Sequence, residues 1–77
     1  MEAGLTYQTA LGVLQFLYVN HDLPMYLIEI DVACDADSTE VIQALEWLAL
    51  NGLIRQVAGG MFWITVEGVN HFESNAF

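Results

Sequence analysis

The chain has 77 residues, 56% of them hydrophobic, and a formal net charge of −9 with Arg55 as its one strong base. That length suits a single domain, residues 1–77 with a core over about 7–73, and leaves no room for a second. The charge argues against a phosphate backbone or an anionic membrane surface as a direct partner, because both would be repelled at contact distance.

The hydrophobic share exceeds the average of roughly 45–50%, and a chain this short keeps only a small interior. Some apolar side chains must therefore line a surface, which marks a partner. A homodimer or a docking protein is expected. Cys34 stands alone, so no internal disulfide or cysteine-based zinc cluster can form. No basic segment leads into an apolar one in the manner of a signal peptide, and no apolar run reaches the roughly 18–20 residues of a membrane span. The expected location is cytoplasmic, with no membrane partner.

Thr6 can cap a first helix over about Tyr7–Val19, preceded by a frayed start at 1–5. At 100° per residue, Tyr7, Ala10, Leu11, Val13, Leu14, Leu17 and Tyr18 form one apolar stripe. Phe16 and Val19 fall opposite it, beside Gly12, and make a candidate self-association surface in which the glycine permits close approach. Pro24 removes a backbone donor and holds Leu23 extended, so Asn20–Pro24 is a break. From Met25 or Tyr26 to Ala33 the residues leave two readings open. Leu27, Ile28, Ile30 and Val32 suit a short helix, while the alternation Ile28–Glu29–Ile30–Asp31–Val32 suits a strand.

A turn at 34–37 leads into a third helix that ends near Leu50. Asp37 and Glu40 match the D-x-x-E form of a capping box, with Ser38 as an alternative cap. Val41, Ile42, Ala44, Leu45, Leu48 and Ala49 form the expected inward stripe, and Asn51–Gly52 stops the helix. Leu53–Val57 and Met61–Thr65 flank Ala58–Gly59–Gly60 as a two-stranded hairpin. Thr65 can then cap a last helix, about Val66–Glu73, with Val69 and Phe72 facing in and 74–77 loose.

The order helix, helix, helix, hairpin, helix resembles the winged helix-turn-helix superfamily. MarR- and ArsR-type domains are the nearest likeness, through Leu45, Leu48 and Gly52–Leu53–Ile54 and then Ile64–Thr65–Val66–Glu67–Gly68 after the wing. The resemblance implies an α+β fold: a small winged helix-turn-helix of three helices, a two-stranded wing and a short C-terminal helix. It also favours helix over strand for 25–33. In DNA-binding members the third helix enters the major groove and reads bases with Arg, Lys, Asn or Gln. Here that helix presents Thr39, Glu40, Gln43, Glu46 and Trp47, and the wing tip is Ala58–Gly59–Gly60. The scaffold looks retained and the reading surface replaced, so no DNA-contacting residue carries over.

Trp47, Gln43, Glu40, Glu46, Asp35 and Asp37 are therefore the candidate protein-binding residues, with Trp47 as a hot-spot anchor or, alternatively, a side chain folded onto the hairpin near Trp63. Asp35, Asp37 and Glu46 fall at positions 1, 3 and 12 of an EF-hand loop. Glu40 stands where that loop needs glycine, so no metal is expected. Cys34 with His21 or His71 lacks an orienting base, and Gly59–Gly60 lacks the lysine of a phosphate loop. No catalytic residue and no cofactor are expected.

The expected function is a non-enzymatic protein-protein interaction module. One form of it is an acidic nucleic-acid mimic that inhibits a nucleic-acid-binding protein through its basic surface. Seven of the ten acids lie in 22–46 (Asp22, Glu29, Asp31, Asp35, Asp37, Glu40 and Glu46), and small acidic inhibitors of this kind are typical of viruses and mobile elements. The alternatives are a DNA-binding regulator of winged-helix type and a structural subunit of a larger complex.

Overall fold

The computed structural model describes residues 3–34 and 36–75. In chain order they form α1 (Ala3–Val19), β1 (Met25–Tyr26), α2 (Leu27–Ala33), α3 (Ser38–Leu50), β2 (Ile54–Val57), β3 (Met61–Ile64) and α4 (Val66–Asn75). The fold is α+β, with the helices packed around one small antiparallel sheet.

α1 is helical from the first described residue, Ala3, so Thr6 lies inside the helix and not at its N-cap position. No proline interrupts this run, its two glycines (Gly4 and Gly12) are tolerated, and the inward stripe is continuous. Ala10, Val13, Leu14 and Leu17 are buried, and they meet Val41, Ala44, Leu45 and Leu48 of α3 in the largest helix-helix contact. Phe16, expected on a free outer face, is partly buried and packs against this core. Gly12 and Val19 are exposed as expected.

Within 25–33 the helical reading holds over Leu27–Ala33, and the alternating stretch Ile28–Val32 is helix and not strand. Met25 and Tyr26 pair with Phe62 and Met61 as a two-residue strand, and the chain then turns directly into α2. The Tyr26 N–H donates to Glu29 Oε1 at 2.9 Å, which satisfies one of the otherwise unpaired donors at the helix start. The predicted two-stranded wing is thus part of a three-stranded sheet in the order β1-β3-β2.

α3 has the predicted extent but not the predicted cap. Asp37 occupies the N-cap position with extended backbone, and its side chain makes no capping hydrogen bond. The expected Asp37–Glu40 box does not form: Glu40 Oε2 is buried with no hydrogen-bond partner. Ser38 turns away instead, its Oγ donating to Asp31 Oδ2 at 2.9 Å and tying the start of α3 to α2.

The other end of α3 follows the glycine signal. Gly52 has φ 73, the left-handed conformation that glycine adopts without Cβ strain. The Leu53 N–H donates to Leu48 O at 2.9 Å and the Gly52 N–H to Ala49 O at 3.0 Å, which is a Schellman closure. Asn51 Nδ2 donates to Trp47 O at 2.8 Å and occupies a further carbonyl.

β2 and β3 pair from Ile54↔Ile64 to Val57↔Met61 around Ala58–Gly59–Gly60, with Gly59 and Gly60 at φ 83 and 74. Thr65 then caps α4 as expected: its Oγ1 accepts from the Gly68 N–H at 3.0 Å and donates to Gly52 O at 2.7 Å. The Thr65 N–H donates to Leu53 O at 3.0 Å. The two motifs behind the family resemblance, Gly52–Ile54 and Ile64–Gly68, are therefore in direct contact. α4 runs two residues beyond the predicted Glu73, to Asn75. Val69 and Phe72 pack inward, with Phe72 against Tyr18 at a ring-centroid distance of 4.5 Å.

Candidate functional site

α3 carries Glu40, Gln43, Glu46 and Trp47 of the expected binding residues, and its geometry divides them. Its buried residues centre on Val41 and Leu48. Stepping about 100° per residue from that centre, Ile42, Ala49 and Glu46 fall toward one margin of the helix. Trp47 and Glu40 fall toward the other, and Gln43 and Leu50 point straight out.

The two margins differ. On the α1 side, Trp47 is 36% exposed and stands edge-on to Tyr7, with ring centroids 6.2 Å apart and an interplanar angle of 89°. It neither stands free nor reaches Trp63. The Trp63 indole N–H donates to the His21 carbonyl at 2.6 Å, on a different part of the molecule.

On the opposite margin an apolar groove opens between α2, α3 and the hairpin. One depression of about 380 Å³ is walled by Tyr26, Leu27, Ile28, Asp31, Ser38, Ile42 and Gly60. A second, of about 320 Å³, is walled by Leu27, Ile42, Leu45, Glu46, Ala49, Gln56 and Phe62. Leu27 and Ile42 line both, so the two depressions adjoin along one trough-like face. Sequence periodicity placed Ile42 and Ala49 in the core. Both are exposed, because neither α2 nor the hairpin reaches across to cover that flank.

The rest of the groove comes from α2 and the sheet. On a helix, Ile28 and Ile30 cannot share a face, and here Ile30 is buried while Ile28 is 71% exposed. Val32, one turn on from Ile28, is 78% exposed. Phe62 and Gln56 are cross-strand partners that extend the core face of the hairpin outward. Charge enters the walls as Asp31 and Glu46, and neither depression has a basic lining residue.

The predicted binding residues are therefore not one patch. Glu46 lines the groove. Gln43 lies exposed between the margins, Trp47 and Glu40 lie toward α1, and Asp37 is exposed at the start of α3. Asp35 lies outside the described residues. Tyr26, Leu27, Ile28, Ile42 and Phe62 were missed as site residues. One signal could have found some of them: once 27–33 is helical, its period-two apolar pattern must leave alternate residues exposed.

The candidate chemistry has a definite geometry. Asp37 and Glu46 are separated by about 13 Å of rise along α3, too far to share an ion. No group of three or more His, Cys, Asp or Glu among the described residues could hold a metal. Burial pushes the Cys34 thiol up from its ordinary value, and the Asp31 carboxylate adds to the shift, so the thiol stays protonated. Tyr18 donates to Glu73 Oε2 at 2.8 Å; that hydrogen bond, followed by burial, raises its phenol. His21 Nε2 lies 3.2 Å from Asp22 Oδ1 on the exposed loop before β1.

Comparison with protein-family models, curated proteins and solved structures finds no match for the chain. No helix among the described residues is long and apolar enough to cross a membrane.

Proposed function

We propose that the chain is a non-enzymatic protein-binding module on a winged-helix-like scaffold, and that its face of α2, α3 and hairpin binds a protein in place of DNA. The observation that carries this is the composition of that face: an apolar trough bounded by Asp31 and Glu46, with no basic lining residue. A duplex needs the opposite, cations for its phosphates and polar donors for its base edges. An apolar trough gains by excluding water against apolar side chains, and carboxylates at its rim select a partner with basic ones.

The net charge of −9 also supports inhibition by mimicry, in which the module occupies the basic surface of a nucleic-acid-binding protein. Self-association remains the role proposed for the exposed Gly12 and Val19 flank of α1, on a face other than the groove.

Affinity capture with native mass spectrometry, repeated after nuclease treatment, tests the reading. A protein partner that survives nuclease supports it. A duplex retained in low-salt fluorescence polarisation with pooled DNA, and no captured protein, overturns it in favour of a DNA-binding regulator. Mimicry adds a requirement: the complex should weaken as salt rises and be displaced by competing nucleic acid.

A further inference from the structure

We propose that the groove between α2, α3 and the hairpin receives one amphipathic helix of a partner, with aliphatic side chains inward and basic side chains over the rim. The inference rests on the protein-binding reading above and specifies its ligand. The floor and walls are the side chains of Leu27, Ile28, Ile42, Leu45, Ala49 and Phe62. They offer mostly apolar area, with Tyr26, Asp31, Ser38, Glu46 and Gln56 as the polar members of the lining. An extended peptide placed there would leave most of its backbone N–H and C=O groups unpaired at a cost. A helix satisfies its own backbone and needs only an apolar stripe.

The two depressions, adjoining at Leu27 and Ile42, suit successive anchors at i, i+3 or i+4, and i+7 on one helix face. Asp31 and Glu46 mark the two halves of the trough, so a lysine or arginine flanking the apolar stripe meets a carboxylate in either half. A second copy of this chain fits poorly. It would bring a charge of −9 against a charge of −9, with Arg55 as its one strong base.

The test uses three synthetic peptides of about sixteen residues, long enough for roughly four turns. One has leucines at i, i+3, i+4 and i+7 and lysines on the remaining face. The second is a scrambled isomer without an apolar face. The third carries glutamate for every lysine. Binding to the full chain is read by NMR shift mapping and titration, with Ile42→Asp as the groove variant. Ile42 is 45% exposed, so the variant should keep the parent's unfolding midpoint.

The expected result is that the lysine-leucine helix shifts Leu27, Ile28 and Ile42. It should bind about tenfold or more tighter than either control, and Ile42→Asp should lose about the same factor. Equal binding of the scrambled peptide means attraction by charge alone and overturns the groove, and equal binding of the glutamate peptide overturns the basic partner. Shifts confined to the outer edge of β2 would indicate strand addition and also overturn it. So would a concentration-dependent dimer that shifts the groove residues without peptide, or the absence of shifts with all three peptides. The underlying reading fails separately: a natural partner captured equally by the parent and Ile42→Asp overturns the groove alone, whereas no captured partner overturns the protein-binding reading.

Discussion

The backbone around Gly68 leaves no room for a side chain. A Cβ there would run into the Leu53 carbonyl oxygen and come within 2.7 Å of Ile64 Cγ1. Gly12 sits in a helix as well, but nothing lies within 4 Å of a Cβ built on it. The two glycines should therefore respond oppositely to alanine. Gly68→Ala should destabilise by about 2 kcal/mol or more, through overpacking against backbone. Gly12→Ala should stabilise by about 0.5–1 kcal/mol through helix propensity. Urea unfolding midpoints compare them, and equal midpoints would contradict the close approach at Leu53. Cys34 gives a chemical counterpart. A raised thiol pKa means less thiolate at a given pH, so iodoacetamide at about pH 8 should alkylate Cys34 several-fold more slowly than an unstructured cysteine peptide. Faster alkylation would mean that its surroundings activate the thiol.

At the scale of elements, the ends of α3 show what a sequence encodes locally and what it does not. Gly52 at the C-terminal end is legible because only a left-handed residue closes that turn, and the Schellman hydrogen bonds follow. Asp37 at the N-terminal end matches a capping pattern, but the competing Ser38–Asp31 hydrogen bond joins two helices and no pattern within one helix reveals it. Asp37→Ala should therefore cost no more than a few tenths of a kcal/mol, from the helix dipole alone. A true side-chain cap would cost about 1 kcal/mol, and thermal unfolding distinguishes the two. The same limit explains the candidate site. Periodicity shows which side of α3 is apolar, but the width of that side actually covered depends on how far α2 and the hairpin extend. Ile42 and Ala49 sit at the edge of cover and become groove wall. β1 was invisible for a related reason: two residues carry no period, and their strand geometry exists only because Phe62 and Met61 lie alongside.

Across the whole molecule, negative charge is spread over a small surface with little to offset it. His21 Nε2 lies beside Asp22 Oδ1 at 3.2 Å, and Arg55 is exposed on β2. Self-repulsion should thus weaken the folded state at low ionic strength. Raising NaCl from about 20 to about 300 mM should increase the melting temperature by on the order of 5 °C, equivalent to ~1 kcal/mol for a domain of this size. A flat or falling profile would mean that favourable charge pairs balance the repulsion. Among the described residues, by contrast, no polar or charged residue is buried as a whole. The inside was largely legible from apolar spacing on α1 and α3, while the outside required the packed arrangement of four elements.

The placement of the two indoles makes the chain its own optical instrument. Trp47 stands against Tyr7 at the α1 flank, and Trp63 hands its N–H to the His21 carbonyl. Neither lines the trough. A ligand seated in the trough should therefore leave the tryptophan emission spectrum almost unchanged, even at saturation. One that covers the Trp47 flank should shift its wavelength or quench it. A single cuvette titration would then tell which side of α3 is occupied before any residue is altered, and silence in that titration would itself be informative.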